Sequence, residues 1–466
     1  MRNWVKKTLL ALGSTVVGVG VIVLPFIIFI QPTNEFGFGN FQSYISEDVK
    51  QALEKRYKMN WQYYGSNSEI PTFINNKTLD VAVATNNMVA QLAISDKIMP
   101  IPWDKFGLIK DDGTEVKTYK DLKGFVSEST WWLSQSIARA VSLPKLPDGS
   151  ECDNLLAYCV PYFLQNFVFC YRGEKISNIN YGSVSFKSIF DYISQDKRFN
   201  SKNSNVMMID DYRSVFNIAK VIKGDNDINP EVGILKQDSD LNSINSLPIS
   251  YFDDVYDSIS DYYSKGKRNV LTFNSDSSIV LNKVALNQTS GAFMYNGDAV
   301  YAAMGGDNSE GALGLPQFGD NQDFFSIVPS DTFYAMDGIV INKSIDDKKL
   351  DDAIEIIKML CLSGLQKGEN ISERDSDGEY KYLSTQNFDY LNYTPCYEKL
   401  YAYSIDQSEN GYFEQNDITD ASQKKLLIDL LTINPVPIND YTIELPLTEL
   451  TKSNINLAYV NFKTKI

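Results

Sequence analysis

Histidine is absent from this chain of 466 residues. Its absence excludes Ser-His-Asp and Cys-His catalysis, acid–base chemistry by imidazole and most catalytic zinc sites. Aspartate pairs and lysine remain available as catalysts, but no compact acid/base motif supports a hydrolase built on paired aspartates. We therefore expect a protein that is not an enzyme and that carries no metal or other cofactor.

Cysteine is scarce, and its five positions form no recognisable motif. No C-x-x-C pair occurs, so the common zinc and redox motifs are not supported. The first two cysteines are close enough in sequence for a disulfide, and buried free thiols explain them equally well. No cysteine closely follows the N-terminal apolar segment, so lipid attachment at a processed N-terminal cysteine is not expected. The five are Cys152, Cys159, Cys170, Cys361 and Cys396.

Basic residues are outnumbered, with 43 Lys and Arg against 59 Asp and Glu, which gives a net charge of −16. Without Arg2, Lys6 and Lys7 the charge becomes −19, because no acid precedes Ile30. Such a domain repels nucleic acid and attracts cations. A need for solubility would also explain the negative charge, so the charge does not by itself indicate a cationic ligand. It does argue against a nucleic-acid partner.

An uncharged stretch of 23 residues, Thr8–Ile30, follows those three basic residues. A helix of that length is about 35 Å long, enough to cross a bilayer. The segment ends without a small-residue cleavage site, so we predict an uncleaved anchor over residues 1–32 in the cell membrane, with a signal peptide as the alternative. The positive flank predicts a cytoplasmic N-terminus and a C-terminal domain outside the cytoplasm.

Strand-then-helix units recur along the rest of the chain, which predicts mostly parallel sheets covered by helices. A first helix is expected from Ser46, as N-cap, to about Tyr57. The polar stretch at about 110–154, with Trp131-Trp132, interrupts the pattern as an insertion. The units are Leu79–Ala84 with Met88–Ala93, Asn205–Ile209 with Tyr212–Ile222, Val270–Phe273 with Ser278–Ala285, Ala292–Tyr295 with Asp298–Met304, and Gly338–Ile341 with Asp346–Leu362.

Asp337 stands at the head of an apolar run, just after Phe333 and Tyr334. A carboxylate loses much of its hydration in such a run and therefore needs a partner. Neither neighbour in the run carries a positive charge. One interpretation is a cationic ligand held jointly by the acid and aromatic rings, and the other is a turn or cap aspartate bonded to local backbone N–H groups.

Several short segments then follow one another in an order that resembles the bacterial polyamine-binding proteins, the spermidine/putrescine receptors of ABC importers. The resemblance runs from about Phe38 to Tyr397. Tyr-Gly-Ser-Asn-Ser-Glu resembles the family's Tyr-Glu-Ser-Asn-Glu, and Met-Tyr-Asn-Gly resembles its Trp-Asn-Gly element. The segments are Tyr44–Ser46, Tyr64–Glu69, Asp80–Thr85, Val160–Phe163, Asp210–Phe216, Met294–Gly297, Met336–Asp337 and Tyr393–Pro395.

This resemblance implies an α/β, two-lobed periplasmic-binding-protein-like fold (type II), preceded here by the N-terminal transmembrane helix. Lobe 1 would comprise residues 33–165 and 337–395, and lobe 2 residues 166–336 and 396–466. The ligand would lie in the cleft between the lobes, at the carboxyl ends of parallel strands. The implied function is capture of a polyamine, spermidine or putrescine, for delivery to an ABC permease.

The resemblance also implies a set of ligand-binding residues. Asp337 and Asp211 would hold ammonium groups, with the rings of Tyr44, Tyr295, Tyr393 and Phe41 around the aliphatic stem. The remaining positions are Gln42, Thr85, Asn87, Ser214 and Asp298.

The chain departs from the family pattern at several of these positions. Ser214 stands where glutamate is usual, Asn87 where tyrosine is usual, and Ala335 where tryptophan is usual. Asp298 either compensates for the lost acid or, as the sequence favours, caps the following helix. Glu444 lies near a polar contact of the family, in a register that no motif defines. Two alternatives follow: the same fold binding a different small solute, or a surface interaction protein that has lost transport.

Overall fold

The computed structural model describes residues 35–177, 179, 181, 184–201, 204–223, 247–263, 271–306, 324–435 and 442–466. Residues Phe36–Ile466 form one compact unit. The anchor expected over residues 1–32 lies outside the described residues. None of the described helices combines the length and the apolar character that a membrane span requires.

One sheet runs through the compact unit in the order β2-β1-β3-β9-β4-β7-β5-β6, with β8 and β10 also paired to β4. Strand β4 is long enough to pair with different strands along its first and second parts. Its residues 160–166 pair with β9, and its residues 167–172 pair with β7 and β8. The strands are β1 (Phe36–Phe41), β2 (Met59–Tyr64), β3 (Val81–Thr85), β4 (Val160–Arg172), β5 (Val206–Ile209), β6 (Leu271–Asn274), β7 (Gly291–Tyr295), β8 (Phe324–Ile327), β9 (Tyr334–Ile341) and β10 (Thr394–Pro395).

The two halves of this sheet repeat one strand order. In the first half, β2, β1 and β3 are parallel, and β9 lies antiparallel between β3 and β4. In the second half, β6, β5 and β7 are parallel, and β4 lies antiparallel between β7 and β8. Each half thus receives its antiparallel strand from a chain segment that crosses over from the other half.

The predicted βα units are present, with ends shifted by a few residues. The parallel prediction is confirmed for the first three strands of each half and wrong for β9, which runs antiparallel to both neighbours because it enters from the other half. The first helix begins at Glu47, and Ser46 occupies the N-cap without a side-chain bond to the helix. All five cysteines are free and buried, which excludes the Cys152–Cys159 disulfide in this structure.

The buried residues of the helices form one core with those of the strands. The α-helices are Glu47–Glu54, Ile70–Asn75, Asn86–Ile94, Glu128–Val141, Phe186–Ile193, Tyr212–Lys223, Ile249–Tyr263, Ser277–Ala285, Asn296–Ala303, Asp347–Ile357, Leu383–Leu391, Glu398–Ser404, Tyr412–Gln415, Ala421–Leu431 and Glu449–Lys465. The helix ending at Ile357 continues as a π-helical turn, Lys358–Leu362.

The segment expected as an insertion at about 110–154 is itself well packed. Its helix Glu128–Val141 buries Leu133 and Ile137. The ammonium group of Lys123 lies over the rings of Trp131 and Trp132, at 6.0 and 5.6 Å from their centroids. These two tryptophans therefore make local contacts within the segment.

Two fully buried asparagines occupy equivalent places, each as the first residue of the helix after the third strand of its half. The side-chain oxygen of Asn86 accepts from the Met336 N–H on β9 (3.0 Å), and that of Asn296 accepts from the Asn166 N–H on β4 (3.2 Å). The amide of Asn296 also donates to Thr394 Oγ1 (2.9 Å) and the Leu430 carbonyl (3.0 Å). Each asparagine thus fastens its helix to the antiparallel strand of the same half.

We predict that Asn296→Ala lowers the free energy of unfolding by about 3 kcal/mol, because it leaves buried partners without their hydrogen bonds. Urea denaturation would measure the loss. Asn461→Ala is the control, since the exposed Asn461 makes one long bond, to Asp253 (3.2 Å). Equal stability of the two variants would contradict a structural role for Asn296.

Candidate functional site

Asp337 lies on β9, the antiparallel strand between β3 and β4. Its register partners are Thr85 at the end of β3 and Phe163 on β4. The side chain is 2% exposed. The sequence therefore placed this acid correctly inside an apolar environment, although it lies within a strand and does not cap a turn.

Three neutral side chains donate hydrogen bonds to the Asp337 carboxylate. Tyr44 Oη donates to Oδ2 and Thr85 Oγ1 donates to Oδ1, both at 2.8 Å, and the amide of Gln165 also donates to Oδ2. Within the described part of the chain, no lysine or arginine donates to it. The acid therefore has internal partners, which the sequence did not reveal, and none of those partners carries charge.

Burial raises the pKa of Asp337 to about 6, against the opposing effect of the bonds from Tyr44 and Thr85. A buried carboxylate is stabilised most by an opposite charge, and neutral donors compensate only part of the lost hydration. The site therefore favours a cation beside Asp337 whenever one can reach it.

Aromatic rings surround the Tyr44 hydroxyl and the acid. The Tyr44 ring makes edge contacts with Tyr393 (5.3 Å between centroids), Tyr162 (5.5 Å) and Phe41 (6.0 Å). Phe41 ends β1, and Tyr393 precedes β10, so the cluster collects rings from distant parts of the chain. Ring faces of this kind attract cations and pack against alkyl chains.

A second group of predicted residues gathers in the other half, where β5 and β7 end. Asp211 precedes the helix Tyr212–Lys223 and accepts from the N–H (3.1 Å) and hydroxyl (2.8 Å) of Ser214. The Ser214 hydroxyl in turn lies 3.1 Å from Tyr295 Oη. Burial raises the pKa of Tyr295, and the charges of Asp211, Glu444 and Asp337 raise it further. Three carboxylates therefore act on one hydroxyl.

Glu444 joins the two groups. One of its carboxylate oxygens accepts from Asn87 Nδ2 and the other from Asn217 Nδ2, each at 2.7 Å. Asn87 belongs to the helix after β3, and Asn217 belongs to the helix after β5. Burial raises the pKa of Glu444 to about 7. The segment around it is held by Arg213, whose guanidinium donates to the Leu445 carbonyl (2.6 Å).

Asp298 does not cap its helix, contrary to the interpretation that the sequence favours. The helix begins at Asn296 with Tyr295 as N-cap, so Asp298 lies in the first turn. Its Oδ1 accepts from Tyr393 Oη (2.8 Å), and burial raises its pKa to about 6. The Tyr393 ring lies directly against Gly297, where a Cβ would approach ring carbons to 2.4 Å. Glycine is therefore required beneath this ring.

The structure thus brings most of the predicted residues into two linked groups, whose roles in binding a ligand stay predictions. Asp337, Thr85, Tyr44, Phe41 and Tyr393 form the first group. Asp211, Ser214 and Tyr295 form the second, and Asn87 bonds to Glu444, which also bonds to Asn217 on the helix after β5. Asp298 accepts from Tyr393, a member of the first group. Gln42 is exposed in the turn after β1.

Gln165, Asn217 and Arg213 are the polar residues of the site that sequence reasoning missed. Gln165 did leave a signal, because it interrupts the apolar run Val160–Leu164 before Asn166. Asn217 and Arg213 lie on a helix with ordinary amphipathic spacing, so nothing local distinguished them.

We predict that the ligand-free protein loses stability as pH rises from about 4 to 7. The folded pKa of Asp337 is about 6 against 3.8 for the free side chain, so the folded state binds this proton more tightly. The stability is present below pH 3.8 and lost as pH passes 6, by about 3 kcal/mol for this residue. Urea denaturation at a series of pH values should show that the free energy of unfolding depends less on pH in Asp337→Asn than in the wild type.

Asp196→Asn is the control for this experiment. Asp196 has a pKa lowered to about 2, since the bonds from Arg198 and Tyr192 outweigh the opposing effect of burial. Its contribution to stability is present above about pH 4 and lost only as pH falls, so the slope between pH 5 and 7 should be that of the wild type. An unchanged slope in Asp337→Asn would show that Asp337 is ionised without penalty.

Solved structures share this fold across nearly the whole chain. PotD, the spermidine/putrescine ABC transporter substrate-binding protein of Streptococcus pneumoniae, has a TM-score of 0.51 at 13% identity, over 93% of this chain and 99% of its own. The TpPotD lipoprotein of Treponema pallidum has a TM-score of 0.54 at 12% identity, over 92% and 98%. Thiaminase I of Bacillus thiaminolyticus, an enzyme, has a TM-score of 0.50 at 10% identity, over 92% and 98%.

Identities this low show the fold alone, which is the two-lobed α/β fold of solute-binding proteins, as the sequence resemblance implied. No curated protein sequence matches the chain. The profile of one sequence family, described as hypothetical lipoprotein (MG045 family), matches residues 6–434. Because that match covers most of the 466 residues, the chain belongs to the MG045 family of hypothetical lipoproteins.

Proposed function

We propose that this chain is an extracytoplasmic solute-binding protein that captures a polyamine and delivers it to an ABC permease. The observation that carries the proposal is Asp337, a buried carboxylate that neutral donors satisfy and aromatic rings surround. An ammonium group placed there would provide the opposite charge that burial demands. Its alkyl chain would pack against the rings.

The distribution of acids favours a ligand with more than one positive charge. Asp337 belongs to the first half of the sheet, Asp211 to the second, and Glu444 lies on the segment that joins them. All three act on the Tyr295 hydroxyl, so they share one region. A flexible diamine or triamine could place one ammonium group at each end of that region.

The relatives support the same assignment. PotD of S. pneumoniae is a spermidine/putrescine-binding protein, and TpPotD is a lipoprotein with the same fold. The family description also indicates a membrane-associated protein. The first cysteine of this chain is Cys152, which is buried, so we propose attachment through the apolar segment of residues 1–32.

The second candidate ligand is a small cation with fewer charges than spermidine. Ser214 and Ala335 replace an acid and a ring that the resemblance would supply, and we do not expect Asp298, which accepts from Tyr393, to restore the acid. A ligand with fewer charges than spermidine would fit this reduced set. Putrescine, a diamine, is therefore the polyamine that we expect to bind best.

We predict that putrescine raises the melting temperature of the purified protein, since a ligand that binds only the folded state stabilises it. At 100 times the dissociation constant the stabilisation is about 2.7 kcal/mol, several degrees for a protein of this size. Spermidine, spermine, amino acids and maltose would be compared in the same assay. A ligand-free protein that responds to no amine would overturn the proposal.

Asp337→Asn should abolish most of this shift, because it keeps the shape of the side chain and removes the charge. Asp389→Asn is the matched control. Asp389 is a half-buried acid whose pKa is likewise raised to about 6, and it accepts from a tyrosine, Tyr412 (3.0 Å). Full binding by Asp337→Asn, measured by calorimetry, would refute the assignment of the site while leaving the function open to another acid.

A further inference from the structure

Gln165 lies on β4, 8% exposed, in the middle of the site. In the β4–β9 register it is directly opposite Ala335, and Phe163 is opposite Asp337. Gln165 and Asp337 are therefore diagonal neighbours on the same face of the sheet, within reach of a long side chain. The small Ala335 leaves the space that the Gln165 side chain uses.

The Gln165 amide makes two contacts there. It donates to Asp337 Oδ2 and to Tyr44 Oη (2.9 Å). Since Tyr44 Oη also donates to Oδ2, that oxygen receives two donors, which is its full complement of in-plane lone pairs. Oδ1 receives only Thr85. One acceptor position on Oδ1 thus stays available to an incoming group. A position on Oδ2 is reached only by moving Gln165.

A neutral amide N–H and an ammonium N–H are competitors for the same acceptor. The ammonium bond is the stronger, since it combines a hydrogen bond with charge attraction. The amide has the advantage of being attached to the protein, so its ordering entropy is already lost on folding. A cation that binds Oδ2 must replace the amide, so the net free energy of binding at Oδ2 is smaller. The amide does not prevent the cation from approaching.

We propose that Gln165 is a specificity-determining residue that competes with the ligand's cationic group for Asp337. This inference rests on the proposed function. Gln165 limits the bonds that a ligand ammonium can form at Asp337, and so reduces affinity for ligands that depend on this one charge. Ligands with a second cationic group, held near Asp211, are disfavoured less.

The test is calorimetry of Gln165→Ala with putrescine and with a monoamine, butylamine. Removal of the competing amide should strengthen the binding of both amines. The dissociation constant should fall by about tenfold for butylamine, which corresponds to one neutral hydrogen bond, and by less for putrescine. Gln62→Ala is the control, because Gln62 is a half-buried strand glutamine of the same sheet that bonds to Asn60 (3.1 Å). Should Gln165→Ala fail to fold, Gln165→Met keeps the length without the N–H.

A second measurement needs no ligand. Loss of a donor to the ionised form should raise the pKa of Asp337, which moves the pH midpoint of the stability loss upward in Gln165→Ala. If amines bind the wild type but bind Gln165→Ala no more tightly, the competition is refuted and the proposed function stands. If no amine binds either protein, the proposed function fails, whatever the pH midpoint does.

Discussion

Strand β4 is the constraint on which the rest of the structure depends, because both halves of the sheet share it. Its first part lies beside β9 and so places Phe163 and Gln165 next to Asp337. Its second part lies beside β7 and places Phe167 opposite Tyr295. Strand pairing therefore sets the spacing between the two groups of the site, and side-chain bonds such as those of Glu444 add to it.

The protein neutralises the negative charge of the site only in part: the charge of Arg213 acts on Glu444, whereas no lysine or arginine among the described residues donates to Asp337. Asp337 and Glu444 have raised pKa values because burial disfavours their ionised forms, and their hydrogen-bond donors are tyrosine, threonine, glutamine and asparagine side chains. An ionised carboxylate held by neutral donors destabilises the ligand-free protein at neutral pH. Under the proposed function this penalty would become affinity for a cation, and stability and binding would be linked through the same residues.

The segment Thr442–Leu445 connects these charges to the architecture. The Thr442 carbonyl accepts from the Tyr334 N–H at the start of β9 (2.8 Å), and Glu444 bonds to helices of both halves. Asn86 adds a bond to the Glu444 carbonyl (3.2 Å). A short piece near the C-terminus thus bonds to elements of both halves, including Asn86, which lies 358 residues away in sequence. No local sequence pattern identifies this segment, because its bonds come mainly from partners elsewhere in the chain.

Local pattern determined the βα units, the buried position of Asp337 and the aromatic character of its surroundings, since hydrophobic period and turn chemistry are properties of neighbouring residues. The order of the resembling segments also indicated the fold. Tertiary structure alone decided that β9 is antiparallel, that Asp298 bonds to Tyr393 and does not cap its helix, that Gln165 belongs to the site, and which partners Glu444 bonds. Those outcomes depend on pairings between distant segments, whose register no local pattern encodes.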